Sequence, residues 1–393
     1  MKPKKLKALI PNISIDDRPL VEAAKKIGLE ILAYTTAEPK ELRSKIGQYY
    51  SDLPVFDFPS RYDQKIDAIQ WRYEFEQRVR QFIKTNGIDL VLRSSRFNEA
   101  DKLKLFLKLR FPFLNKFIEV KGLHWHKEKY LRLLSYHGIP CPENYLIVKD
   151  QEVPNFKKYK IEFPCICKPS ACSGGVGVFI AQSLLDLETF FGPELNPENF
   201  DEVNIFYRSR NRHGLRFYLY NSGDIGSTYL VQRFIKGRIL SISSGFAKGR
   251  LVSPFCYEIG PANSLFCAEQ SFMWPIEREV EKKVLDLSHQ LAQVLDYPNG
   301  PFMVDFILSE DGDIWVIDAA PRASSTGVQL NELVFQDTCH AEDLITSHFG
   351  YIPNRPDRKS QGQAVFWQRF PFPKGRVTKL LYPPFDERKI VLQ

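Results

Sequence analysis

Asp305 and Asp318 lie in the stretch FMVDFILSEDGDIWVIDAAPR, residues 302–322, each inside an apolar run, with Asp311-Gly312 between them. Apolar runs flanking an Asp-Gly pair read as a β-hairpin. A two-residue loop puts Asp305 directly opposite Asp318. A four-residue loop, with Leu308 facing Asp313, makes them diagonal neighbours. Both registers put the two carboxylates on one face, because strand side chains alternate with a period of two. Among Met303, Ile307, Ile314 and Val316 such a pair suffers from burial and mutual repulsion. An Arg would relieve it, and so would a hard cation: Mg²⁺ is commonly held by one or two carboxylates together with substrate phosphates. Arg322, after Pro321, is suited to a phosphate or a carboxylate. The plainer alternative is a sheet edge with both carboxylates in water.

A second candidate lies upstream. Lys168 ends the apolar run of FPCICKPSACSGGVGVFIA, residues 163–181, and a loop with Ser173, Gly174, Gly175 and Gly177 follows. Glycines let backbone amides approach phosphates closely, and a lysine supplies compensating charge. A Walker A loop has the opposite order, with lysine after the glycines and then a helix. Here an apolar strand follows, so the loop is expected to close over phosphates as a hairpin flap. A plain glycine-rich hairpin with an exposed lysine is the alternative.

The elements that must hold these residues can be read from periodicity. Residues 1–120 alternate strands (6–10, 29–34, 55–58, 88–92) with helices (19–27, 66–84), which implies a parallel α/β layer. No G-x-G-x-x-G follows the first strand, which argues against dinucleotide binding there. Beyond it the pattern gives a helix in 126–142 closed by Gly138, and antiparallel strands at 229–243 and 249–258. Helices at 275–295 and 329–349 and a strand at 363–368 follow. The chain has 393 residues, a formal net charge of +7 and seven cysteines without a disulfide pattern. That length implies two or three domains. The charge suits anionic small molecules and does not require nucleic acid. No run is long enough for a membrane span, and the lysine-rich start lacks the apolar core of a secretory signal. A cytoplasmic protein with reduced thiols is expected. Cys165, Cys167 and Cys172 have no matching Cys/His cluster, so no zinc site is assigned.

Taken together, these motifs resemble the ATP-grasp superfamily from about Lys127 to Phe349, in the family's order. Lys127 lies eleven residues before Gly138 of the G-[IVL]-P element and matches the first phosphate lysine, with Lys129 a weaker candidate. Lys168 matches the second. Gln232-Arg233-Phe234-Ile235 occupies the adenine hinge, followed by Gly237. Asp305 and Asp318, with Pro321 and Arg322, match the metal pair and its D/E-x-N-P-R-like element. Four departures stand out. Ile239 replaces a ribose-contacting Glu, Gln232 replaces the hinge acid, Ala320 replaces an Asn that holds a second metal, and the shorter Asp318 replaces the metal Glu.

The resemblance implies an N-terminal α/β domain (1–120), a small lobe with the flap and an insertion (121–228), and a C-terminal lobe (229–393). It implies ATP-binding by Lys127, Lys168, Ser173, Gly174, Gly175, Gln232, Arg233 and Phe234. Mg²⁺ would sit on Asp305 and Asp318, and Arg322 and Lys168 would be catalytic. The implied activity is ligation of a carboxylate to an amine through an acylphosphate, on the amino-acid ligase branch. A carboxylase or kinase-like transferase on the same scaffold, and a nucleotide-binding protein without turnover, are the rival expectations. Partners are small-molecule carboxylates and amines, with neither nucleic acid nor membrane expected, and a homodimer is compatible with all of this. The Arg- and Tyr-rich residues 201–228 are the expected lid or substrate loop.

Overall fold

The computed structural model describes residues 5–36, 40–58, 68–92, 127–148, 154–170, 178–191, 229–260, 271–297, 299–337, 339–354 and 365–368. The glycine-rich loop at 171–177, residues 201–228, His124 and His126 lie outside them, as does the side chain of Lys129.

The N-terminal layer runs β1 (Lys7–Ile10), α1 (Arg18–Lys26), β2 (Glu30–Thr35), α2 (Lys40–Tyr49), β3 (Val55–Asp57), α3 (Ala68–Asn86) and β4 (Leu90–Val91). The four strands pair in parallel in the order β3-β2-β1-β4. Apolar runs such as Ala8-Leu9-Ile10 are buried on both faces, as helices on both sides of a parallel sheet require. Helix α2 had no expectation in the sequence. Its stretch KELRSKIGQY is dominated by polar residues, so the apolar period is faint.

A small antiparallel sheet follows, with α4 (Lys127–Tyr136), β5 (Asn144–Val148), β6 (Cys165–Pro169), β7 (Phe179–Ala181), α5 (Leu184–Phe191) and β8 (Tyr229–Arg233). Its strand order is β5-β8-β6-β7. The largest sheet contains β9 (Gly237–Ala247), β10 (Arg250–Ile259), β11 (Ser271–Trp274), β12 (Gly300–Ser309), β13 (Ile314–Ala320) and β14 (Val365–Gln368), in the order β13-β12-β9-β10-β11-β14. Helices α6 (Arg278–Val294), α7 (Ser325–Phe335) and α8 (Cys339–Ser347) pack on it. One face, with Leu240, Ile242, Val304 and Phe306, forms a core with Tyr130 and Leu134 of α4 and Leu291 of α6. On the other face Phe255, Tyr257 and Phe272 pack with Leu330 and Val334 of α7.

Three sequence expectations need correction. The strand expected at 229–243 is two strands in different sheets, β8 and β9, joined by residues 234–236. The change of sheet thus comes after the 228/229 boundary expected from sequence. The helix expected from Pro275 begins at Arg278, because the Trp274-Pro275 peptide ends β11 instead of opening the helix. The helix expected at 329–349 is two helices, since Gln336 at φ 53° turns the chain out of α7 before α8 begins.

Candidate functional site

The Asp hairpin has neither loop expected from its sequence. Ser309 N donates to Asp313 O at 2.8 Å, and Gly312 N to Ser309 O at 3.0 Å, so the loop is Glu310-Asp311-Gly312. Gly312 takes φ 84°, the left-handed residue that closes a three-residue hairpin loop. Carried down the strands, this odd-length loop would place Asp318 opposite Val304, on the wrong face. A β-bulge prevents that. Phe306 pairs with Val316 but Asp305 pairs with Asp318, leaving Ile317 as the extra residue. The two carboxylates therefore share a face, in line with Ser241 of β9, which pairs with Asp305.

The bulge has a second consequence. The carbonyl of Ile317, displaced from the ladder, accepts from Lys168 Nζ at 3.0 Å. Lys168 comes from the end of β6 in the other sheet, so this bond joins the two sheets at the carboxylate pair. Helix α4 makes a second join: Lys127 N donates to Ser170 O at 3.4 Å, and the Ser170 hydroxyl donates to the Glu128 carboxylate. Lys127, only 4 % exposed, reaches Asp318 Oδ2 at 2.5 Å. Tyr130, three residues on and so on the same helix face, donates to Asp318 Oδ1 at 2.9 Å, as does Ala319 N. Asp305 Oδ1 accepts from Ser241 Oγ at 2.7 Å.

The electrostatics follow from this enclosure. Burial pushes the Asp305 carboxyl up to about 6, and the charge of Asp318 adds to the shift. The Ser241 hydrogen bond, Arg322 and Lys127 oppose it. Burial, and then Lys127, hold the Lys168 ammonium down at about 8. Burial together with Asp318 raises the Tyr130 phenol well above its ordinary range, so it stays a donor at neutral pH. Two lysines and two aspartates, separated by up to 191 residues in sequence, converge here. An added cation would favour the ionised form of Asp305, and an added phosphate the charged form of Lys168. Among the described residues no group of three or more His, Cys, Asp or Glu side chains could hold a metal ion. Two carboxylates could supply only part of a coordination sphere, and a Mg²⁺ held in that way takes the rest from water or phosphate oxygens.

The small sheet supplies the other wall. Lys168 pairs with Leu230, and Ile166 with Gln232, so Lys168 and Gln232 lie on one face of that sheet. Gln232 is fully buried, and its Nε2 donates to Asn144 Oδ1 at 2.7 Å. Its Oε1 is buried with no hydrogen-bond partner among the described residues. Arg233 is exposed at the end of β8, and its amide donates to Glu143 O at 2.9 Å. Phe234 is half-buried in the link between sheets. Arg322 is half-buried below β13, where its Nη1 donates to Ala323 O at 3.1 Å and its charge acts on Asp305. Ser173, Gly174 and Gly175 lie outside the described residues.

No protein-family model and no curated protein matches the chain. Solved structures do. An L-amino acid ligase from Bacillus licheniformis aligns over 93 % of this chain and 80 % of its own, with 16 % identity and a TM-score of 0.61. A biotin carboxylase from Campylobacter jejuni, in complex with β,γ-ATP, aligns over 92 % and 75 %, with 14 % identity and a TM-score of 0.63. The biotin carboxylase domain dimer of the 2-oxoglutarate carboxylase from Hydrogenobacter thermophilus, in complex with MgADP, ADP and bicarbonate, aligns over 93 % and 74 %, with 14 % identity and a TM-score of 0.57. This chain has the ATP-grasp fold.

Within that ATP-grasp fold, two of the departures are visible as contacts. Ile239 is half-buried and pairs with Ile307 and Ile259, extending an apolar row beside the carboxylates. Ala320 is buried opposite Met303. Trp274 packs against Phe255 and Phe335. Four site residues had no expectation in the sequence: Tyr130, Ser241, Asn144 and the bulged Ile317. Tyr130 alone carried a local signal, its spacing of three from Lys127. No helix of the described residues is long and apolar enough to cross a membrane.

Proposed function

We propose that this chain is an ATP-dependent ligase that activates a carboxylate as an acylphosphate and couples it to an amine. The observation that carries this reading is the convergence of Lys127, Lys168, Asp305 and Asp318 from four elements, α4, β6, β12 and β13, at one place. The site also fits a nucleotide. The buried, unpartnered Gln232 Oε1 is an acceptor suited to an exocyclic amine, on the same sheet face as Lys168. The aspartate pair fits Mg²⁺, which when bound would draw phosphate charge toward Asp305 and Asp318.

The reaction needs no nucleophilic side chain. The substrate carboxylate bonds to the γ-phosphorus as ADP leaves. The amine nitrogen then bonds to the acyl carbon as phosphate leaves, and its proton passes to solvent. Lys127 and Lys168 would neutralise phosphate oxygens, and Arg322 would orient the γ-phosphate or the carboxylate through a bidentate contact. The glycine-rich loop with Ser173, Gly174 and Gly175 would exclude water from the acylphosphate. Arg233 and Phe234 would border the base. The fold itself is shared with carboxylases, so the amine acceptor is the finer part of the proposal. A second reading, a nucleotide-binding protein without turnover, is favoured by Ile239 and Ala320, which offer no polar group where the ATP-grasp pattern has Glu and Asn.

A phosphate-release screen with ATP, Mg²⁺ and pooled amino acids and small carboxylic acids separates the two. Wild type is expected to release phosphate, and Asp305→Asn to lose at least roughly 10²-fold of that rate. The variant should melt no lower than wild type, because it removes a like-charge neighbour of Asp318. Equal release by both proteins would remove the metal assignment. Tight nucleotide binding with no release under any pool would favour the second reading.

A further inference from the structure

The two carboxylates share a face, but their oxygens are not equally available. A carboxylate offers about four lone-pair positions, shared between its two oxygens. Asp318 Oδ1 accepts from Tyr130 Oη at 2.9 Å and from Ala319 N at 2.9 Å, which fills that oxygen. Asp318 Oδ2 accepts from Lys127 Nζ at 2.5 Å. None of these roles can be exchanged. An ammonium and a backbone amide only donate, and a phenol facing a carboxylate anion has nothing there to accept. Asp305 is more open. Its Oδ1 accepts from Ser241 Oγ at 2.7 Å, and no bond among the described residues reaches its Oδ2.

Lys127 is fixed in this place by the helix that carries it. The residue is 4 % exposed, its own amide donates to Ser170 O at 3.4 Å, and Tyr130 from the same helix face is buried in the large core. An ammonium has three donors, and Asp318 uses one of them, so the others remain for phosphate oxygens. A cation that meets a carboxylate on one side and phosphate on the other is where a bridging metal ion would be. A divalent ion on the same Asp318 oxygen would lie close to the ammonium in a buried site, where two positive charges repel strongly. Nor does β13 supply a further oxygen on that face. Two positions beyond Asp318 is Ala320, 2 % exposed and opposite Met303.

We propose that Lys127 takes the place of a second metal ion. The site binds one divalent cation together with its nucleotide, on the Asp305 side, and the Lys127 ammonium bridges Asp318 and the phosphates. This rests on the nucleotide site proposed above. Removing the ammonium while keeping the carboxylate opens Asp318 Oδ2 to a second divalent ion, drawn in by the carboxylate and the phosphates together. A lysine that only anchored phosphate would behave differently. Its loss would weaken nucleotide binding and leave the number of metal ions unchanged.

The test counts metal ions on the nucleotide-loaded protein and does not depend on turnover. The probe is Mn²⁺, which like Mg²⁺ suits carboxylate and water oxygens, measured by electron paramagnetic resonance with β,γ-imido ATP bound and free nucleotide removed. Wild type is expected to bind one Mn²⁺ per chain. Lys127→Met and Lys127→Gln, both uncharged, are expected to bind two. At low Mn²⁺ they should hold the nucleotide roughly tenfold or more weakly, as loss of a charged hydrogen bond implies, and recover most of that loss at high Mn²⁺. Adding Asp318→Asn to Lys127→Met should return the count to one, because the opened position then lacks its carboxylate. Thermal melting checks that each variant is folded, and the wild-type count needs no variant. Two ions on wild type, or one on the uncharged Lys127 variants, overturns the assignment while leaving the ligase reading intact. Failure of wild type to hold nucleotide or metal overturns both.

Discussion

Lys168 is the residue at which the electrostatics of this site can be measured most directly. Burial and the neighbouring Lys127 hold its ammonium near 8, so above that pH the free protein carries it mostly as a neutral amine. A triphosphate beside it favours the charged form and raises the value. ATP binding at pH 8.5 should therefore take up protons from the buffer. The Asp305 carboxyl, at about 6, is already ionised at that pH and contributes nothing. Calorimetry in two buffers of different ionisation enthalpy reads the uptake directly, and Lys168→Met should abolish it. By the same linkage, affinity should decline as pH rises through about 8. Proton release, or none, in wild type would mean that Lys168 does not meet phosphate. Tyr130 gives a smaller effect. Its hydroxyl bonds Asp318, and Tyr130→Phe removes one hydrogen bond to a charged group, worth about 1.5–3 kcal/mol in denaturation.

At the scale of elements, what was legible in the sequence was what period and turn chemistry encode. Alternation within residues 302–322 was enough to put Asp305 and Asp318 on one face. It was not enough to give the loop, because Asp-Gly closes two- and three-residue hairpins alike with Gly312 left-handed in both, and only the absence of a positive φ at Asp311 distinguishes them. The bulge at Ile317 had no local signal, since Val316, Ile317 and the residues around them are equally apolar and strand-forming. Its position depends on β12 and on Lys168 arriving from another sheet. The split between β8 and β9 was hidden for a similar reason: YLVQRFIKGRILSIS reads as one long strand, and the turn out of the small sheet is decided by pairing partners far away. Gly237 marks that transition. A Cβ there would collide with the backbone carbonyl of Leu308, so β9 enters the large sheet at a distance only glycine allows. Gly237→Ala should cost about 1–3 kcal/mol, as overpacking against backbone does. Gly312→Ala meets no atom and bears only the strain of φ 84°, so it should cost about 1 kcal/mol. Urea denaturation of the two variants checks the order, and a reversed order would mean that the hinge can shift to admit a methyl group.

At the scale of the molecule, the site lies between two sheets: one face of the small sheet has a core of its own, and its other face joins the large core through Leu230. The small sheet packs on α5 through Val148, Cys167, Phe190, Phe191 and Tyr229, all within that lobe. The N-terminal layer has no such independence. Its core of Ile10, Val21, Ile31 and Leu90 continues into Ala323, Val328, Ala341, Leu344 and Ile345 of the large lobe. Gln329 of α7 donates to Asp16 Oδ1 at 3.2 Å, and Lys26 of α1 pairs with Glu342 of α8 at 2.5 Å. The N-terminal sheet and the six-stranded sheet are thus expected to unfold as one unit, carrying Asp305, Asp318 and Arg322 on a single rigid support. Gln232 and Lys168 ride on the small sheet, tied to the large lobe through Lys168–Ile317, the α4–Ser170 contacts, Leu230 in the large core and residues 234–236. Leu344, 1 % exposed at the shared core, tests this division. Leu344→Ala should lower stability by about 2–5 kcal/mol. Because the lost contacts belong to both layers, amide exchange should accelerate together in β1, β2, β9 and β12, while β6 and β8 keep protection set by their own core. If β1 and β2 exchanged as in wild type, the N-terminal layer would be a separate folding unit, and the support beneath the carboxylate pair would be the large lobe alone.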